Sequence, residues 1–127
     1  MGIPVLVVED DRALSSMIAQ VLDMDGYDIT VVDDGRKALS ALRSGEFVAV
    51  LLDVMLPGLD GISLLRAIRE DPAMWSIPVV MITAKTDDMT TWEGWKAGCD
   101  YFLTKPFDPG ELATILHRLR SGSSAKG

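Results

Sequence analysis

The chain has 127 residues, the size of one ordinary domain and too few for two substantial cores. Hydrophobic residues make up 48% and charged residues 24%, a globular balance that argues against disorder. Acids outnumber bases 19 to 12, and the resulting net charge of −7 repels phosphate backbones and anionic lipid, so direct nucleic-acid or membrane binding by this stretch is not expected.

Short apolar runs alternate with helical patterns from end to end. Ile3–Val8 reads as a strand, followed by a helix whose Leu14, Met17, Ile18, Val21 and Leu22 form one apolar stripe ended by Gly26. Ile29–Val32 reads as the second strand, and a short helix carrying Ala38, Leu39 and Leu42 stops before Gly45. Phe47–Leu52 is apolar on both alternating faces, as a central parallel strand covered on both sides should be. Leu64, Leu65 and Ile68 mark a third helix that stops near Asp71-Pro72. Pro78–Ile82 is a fourth strand, Asp87–Ala97 a fourth helix closed by Gly98, and Tyr101–Thr104 a fifth strand. The fifth helix carries Leu112, Ile115, Leu116 and Leu119. Five βα units in series predict a doubly wound α/β domain over residues 1–120, a parallel sheet with right-handed crossovers and helices on both faces. The Ser/Gly-rich stretch 121–127 reads as a flexible tail or the start of a linker.

Cys99 is the single cysteine, which excludes an internal disulfide framework and a Cys-rich zinc site; it reads as a small buried filler. The longest purely apolar run, Phe47–Leu52, is far too short to span a bilayer, and the N-terminus enters a strand with no basic segment or signal core. An intracellular, cytoplasmic location is therefore expected.

Ligands of open parallel α/β sheets bind outside the carboxyl ends of the strands. At those ends stand Glu9-Asp10-Asp11 after strand one, Asp53 after strand three, Thr83-Ala84 after strand four and Lys105-Pro106 after strand five. Crowded carboxylates repel one another, and a hard divalent cation relieves that repulsion; an oxygen-only ligand set suits Mg²⁺. With a phosphoryl group beside such a metal, Lys105 and the metal would neutralise its oxygens, Thr83 would donate a hydrogen bond, and one carboxylate would attack in line.

These pieces resemble the receiver domain of bacterial two-component response regulators: the acidic pair in Val7-Val8-Glu9-Asp10, then Asp53-Val54-Met55-Leu56-Pro57-Gly58, Ile82-Thr83-Ala84 and Lys105-Pro106-Phe107, in that order, with the resemblance covering residues 3 to about 120. The resemblance implies a flavodoxin-like sheet of strand order 2-1-3-4-5. It also implies Asp53 as phosphoacceptor, with Mg²⁺ held by Asp10, Asp53, the Met55 backbone carbonyl and, through water, Glu9. Thr83 would be the switch hydroxyl, Lys105 the phosphate-pairing lysine with a cis bond to Pro106, and Phe102 the switch aromatic. The implied function is a signalling switch, not a turnover enzyme. A sensor histidine kinase would donate the phosphoryl group, and the surface of helix four, strand five and helix five would relay the change to an output domain or effector. A phosphorylation-dependent homodimer is a further implied partner. A Mg²⁺-dependent aspartyl-phosphate phosphohydrolase is the alternative; such enzymes usually carry the nucleophile on strand one and add a cap domain.

Asp33-Asp34 also follows a strand, but in this order that strand lies at the sheet edge, so helix capping is the better reading, as it is for Asp11 and Asp60. Asp100-Tyr101 and Ile115 depart from the charged positions of many DNA-binding members, which weakens the expectation of a charge-paired dimer. Met55 and Lys85 flank the expected approach of water to the phosphoryl group, where a thioether and a long cation would prolong the bond. Partial burial against the sheet is expected for one of Trp92 and Trp95, with a partner-binding apolar patch as the other reading. His117 reads as a surface residue.

Overall fold

A computed structural model of the chain describes residues 2–84 and 88–120. Ten elements alternate: β1 (Ile3–Val8), α1 (Arg12–Met24), β2 (Tyr27–Val32), α2 (Gly35–Ser44), β3 (Ala49–Asp53), α3 (Gly61–Glu70), β4 (Val79–Thr83), α4 (Asp88–Ala97), β5 (Tyr101–Thr104) and α5 (Pro109–Arg120). The five strands are parallel in the order β2-β1-β3-β4-β5, as the sequence predicts.

Each face of the sheet buries its own apolar layer. Val5 and Val7, Ala49 and Leu51, and Val80 and Ile82 meet Ile18 and Leu22 of α1 and Leu112, Ile115 and Leu116 of α5. Leu6 and Val8, Val50 and Leu52, and Val79 and Met81 meet Ala38 and Leu42 of α2 and Leu64, Leu65 and Ile68 of α3. Every residue of β3 and β4 is buried, because helices cover both faces and neighbours cover both edges.

The helices begin where short acidic side chains can cap them. Asp11 accepts from Leu14 N at 3.1 Å, Asp34 from Arg36 N at 2.7 Å and Asp60 from Ser63 N at 3.0 Å. Gly26, with φ +89°, turns the chain straight into β2, which therefore starts at Tyr27 and not at Ile29. Asp28 is accommodated there because β2 is an edge strand with a solvent side.

Two further boundaries differ from the sequence reading. β3 starts at Ala49 and not at Phe47, since its pairing with β1 begins at Val5 and Ala49 and its pairing with β4 only at Val50 and Val79. Pro78 precedes β4, using its carbonyl for Val50 N at 2.9 Å while having no N–H for a ladder. Ile115 is buried in the core between α5 and the sheet, so its apolar character is a packing requirement. Helix α4 begins at Asp88; Asp87 and Lys85 lie outside the described residues, as does the stretch 121–127.

Trp92 is 56% and Trp95 37% exposed, so neither is buried against the sheet, though Trp95 is partly covered. The inner face of α4 is made instead by Thr90, Thr91, Glu93, Gly94 and Ala97, so the helix backbone lies close to β5 with no room for an indole. Lys96 covers the Trp92 ring, its ammonium 4.6 Å from the centroid. Cys99 is fully buried, and His117 is exposed.

Candidate functional site

The ends of β1, β3 and β5 bring four charged side chains to one rim. Asp53, the last residue of β3, is buried; its Oδ1 accepts from Met55 N at 2.9 Å and its Oδ2 from Lys105 Nζ at 2.8 Å. The same Lys105 ammonium stands 3.1 Å from Glu9 Oε1. Glu9, directly after β1, is 3% exposed, and its other oxygen accepts from Asp11 N at 3.1 Å. Asp10 points outward beside them, and one oxygen from each of Glu9, Asp10 and Asp53 lies within 4.8 Å of the others.

Local structure explains why these residues arrive together. The register pairs Val8 with Leu52 and Asp53 with Ile82, so the three central strands end at nearly one level. Lys105 N donates to Thr83 O at 2.8 Å, which fixes the start of the loop after β5 against the end of β4. The Lys105-Pro106 bond is cis, as the resemblance implies. Beyond Asp53 the loop folds back so that Gly61 N donates to Val54 O at 3.0 Å. A Cβ at Gly61 would lie 2.3 Å from Asp53 O, so the start of α3 packs backbone to backbone against the strand that carries Asp53.

The charges are unbalanced. Three carboxylates face one ammonium, and burial together with a proton shared toward Asp53 raises the Glu9 pKa to about 7. Burial would lower the Lys105 pKa, but its bonds to Asp53 and Glu9 outweigh that and raise it. Glu9 Oε1 is buried and takes no hydrogen bond of good geometry. An acidic cluster in which one buried oxygen is held only by an ion pair is chemically suited to a hard divalent cation, and these residues fit one.

Thr83 and Phe102 occupy the layer beside this rim. Thr83, the last residue of β4, is fully buried and pairs in register with Thr104, while Phe102 pairs with Met81. Alternation along β4 places Thr83 on the same face as Met81, the face against which the half-buried Phe102 packs. Met55 is 56% exposed at the mouth of the site. Asp33, away from the cluster, pairs with Lys37 at 2.8 Å.

Two structural residues escape the sequence reading. Arg69, in the last turn of α3, bonds Asp100 and three backbone carbonyls, contacts up to 31 residues apart that no local pattern announces. Gly94 lies under no turn signal but inside a helix, where glycine is less favourable than alanine, and that cost is the one local sign of a packing demand.

Among the described residues no helix is long and apolar enough to cross a membrane. The profile of the response regulator receiver domain matches residues 5–117. The DNA-binding response regulator MtrA of Mycolicibacterium paratuberculosis is 44% identical over 117 residues, which is 91% of this chain and 51% of that protein. Transcriptional regulatory protein CseB of Streptomyces avermitilis is 41% identical over 124 residues, 97% of this chain and 52% of that protein. The chain thus spans about half the length of the curated relatives it matches. Among solved structures, the receiver domain of a sensor histidine kinase from Pseudomonas aeruginosa PAO1, described with a magnesium ion coordinated in its active site cleft, superposes with a TM-score of 0.89 at 33% identity, covering 95% of this chain and 99% of that one. These matches give the phosphohydrolase alternative no support. Fold, rim and relatives agree, and the chain belongs to the receiver domain family of two-component response regulators.

Proposed function

We propose that Asp53 accepts a phosphoryl group from the phosphohistidine of a sensor kinase and that the change is read out at α4, β5 and α5. The observation that carries this reading is Lys105 bridging Asp53 and Glu9, with Asp10 alongside, at the carboxyl rim of the sheet. An Asp53 carboxylate oxygen forms the new bond to phosphorus while the bond from phosphorus to the imidazole nitrogen breaks, and the imidazole leaves with the electron pair. Met55 N–H holds Oδ1, fixing the carboxylate plane. Lys105 turns its ammonium from Asp53 to the incoming phosphoryl oxygens, and the Thr83 hydroxyl donates to one of them. Glu9, Asp10, Asp53 and the Met55 carbonyl would hold Mg²⁺, which when bound neutralises phosphoryl oxygen charge. The exposed Met55 thioether supports a phosphoryl bond shielded from water. The domain acts as a switch that catalyses only its own phosphorylation and slow dephosphorylation, in the cytoplasm. Its further partners are an output domain or effector and a second copy in a phosphorylated homodimer. The excess of acid over base speaks against direct contact with nucleic acid or membrane.

Thr83→Ala separates chemistry from relay. Incubated with Mg²⁺ and a small acyl phosphate, the variant gains the phosphoryl mass, while the accompanying change in indole emission from Trp92 and Trp95 falls by about half or more. An undiminished emission change would remove Thr83 from the relay.

Glu9 makes metal binding pH-dependent. A carboxyl whose folded pKa lies above its ordinary 4.5 retains protons that the unfolded chain has lost, so the metal-free protein loses stability as pH rises from 4.5 through about 7. Mg²⁺ must displace that proton, so its affinity weakens by up to about tenfold per pH unit below the Glu9 pKa. Calorimetric titration at pH 6, 7 and 8 checks this: Glu9→Gln binds more weakly and without the trend. Equal pH trends in both proteins would place the titrating proton elsewhere.

A further inference from the structure

Gly94 stands in the middle of α4 with no backbone reason to be glycine. The positive-φ glycines of the described chain are Gly26, Gly58 and Gly98, so Gly94 has ordinary helical geometry, where glycine is less favourable than alanine. It is nevertheless buried, and the space its missing side chain leaves is occupied. A Cβ there would lie 2.8 Å from Phe102 Cε2 and 3.1 Å from Cδ2, with Met81 Sδ at 3.5 Å. The edge of the Phe102 ring rests directly on the α4 backbone.

We infer that Gly94 is a positioning residue for the switch, the seat that lets the Phe102 ring lie under α4 and couples its position to that helix. The inference rests on the proposed readout at α4, β5 and α5, with Phe102 of β5 as its switch aromatic, and deepens it. Phe102 stands beside Met81 in the sheet, and Met81 shares its face with Thr83 two residues on, so ring, thioether and threonine form one continuous layer between the rim and α4. Apart from Gly94, no residue of α4 with a described side chain is buried; Ala97 packs at the edge of the core and Glu93 lies 3.9 Å from Arg66 of α3. A ring that fits only because position 94 has no side chain can enter or leave that seat only if α4 yields or the ring turns.

An alanine at position 94 brings a methyl group into contact too close for a well-packed interior and disfavours the seated ring by about tenfold or more. The ring then holds one position whether or not Asp53 is phosphorylated, and α4 stops responding. The test compares wild type, Gly94→Ala, Phe102→Leu and the double variant, each with Mg²⁺ and a small acyl phosphate. Phosphoryl mass is read on the intact protein, and indole emission from Trp92 and Trp95, which flank Gly94 on the same helix, reports α4. Gly94→Ala is expected to gain the phosphoryl mass yet lose most of the emission change. Phe102→Leu loses it too, and adding Gly94→Ala to Phe102→Leu brings no further loss, because the two act through one contact.

A merely structural glycine behaves differently. Gly94→Ala then shifts the thermal midpoint but keeps the full emission change on phosphorylation, which overturns the seat. A full emission change in Phe102→Leu overturns the switch role of Phe102 itself, and with it the inference. A further loss in the double variant, added to that of Phe102→Leu, shows that Gly94 acts independently of the ring and likewise overturns it.

Discussion

Arg69→Met is expected to destabilise the domain by about 3–5 kcal/mol, although its hydrogen-bond partners lie away from the carboxylate rim. Its guanidinium donates to Gly98 O at 2.8 Å, Trp75 O at 2.9 Å, Ile77 O at 2.6 Å and Asp100 Oδ2 at 2.9 Å. Asp100 Oδ2 also accepts from Val79 N, so the last turn of α3, the entry to β4 and the turn from α4 to β5 are held by one ion pair. Both side chains are 18% exposed, and burial lowers the Arg69 pKa against the pull of Asp100. Removing the cation leaves a largely desolvated carboxylate and three carbonyls short of a donor, a cost well above that of a surface salt bridge. The drop reads as a lower urea midpoint at unchanged slope. Arg69→Lys recovers little, since a single ammonium cannot reproduce the planar fork. Adding Asp100→Asn to Arg69→Met recovers part, because the unpaired charge is then gone. A loss within about 1 kcal/mol for Arg69→Met would show that the hub carries no such load.

Asp100 is committed inside the fold, and Ile115 is buried between α5 and the sheet, so neither is available for charge pairing on the α4–β5–α5 surface. What that surface does offer is Met89, Trp92 and Trp95, all exposed on α4.

Much of the fold was legible in the sequence because its signals are local or periodic. The α1 and α5 stripes, the unbroken apolar β3 and the caps at Asp11, Asp34 and Asp60 each report on a few neighbouring residues. The rim was legible for another reason: strands of a parallel sheet end on one side, so Glu9, Asp53, Thr83 and Lys105, each at a strand end, had to meet. Strand limits were less legible. Phe47 and Val48 are as apolar as the strand they precede, and only the pairing with β1 and β4, which begins at Ala49 and Val50, excludes them from the central ladder. The exposure of both indoles on α4 was hidden because it depends on Gly94 meeting Phe102 across the chain. Arg69 was hidden for the same reason, its partners lying 6 to 31 residues away.

Asp53 carries the central claim, and one measurement tests it most directly. Intact-protein mass is followed after incubation with a small acyl phosphate, for wild type and Asp53→Asn, each with Mg²⁺ and with chelator. Asparagine keeps an oxygen for Met55 N–H and a similar volume, so the fold survives. It is neither anionic nor able to form an acyl phosphate at that oxygen, so the nucleophile is removed, together with the charge that pairs with Lys105 and would serve Mg²⁺. The account predicts a single phosphoryl adduct in wild type that requires Mg²⁺ and is absent from Asp53→Asn. An equal adduct in Asp53→Asn, or an adduct in wild type that forms as readily in chelator, would contradict it.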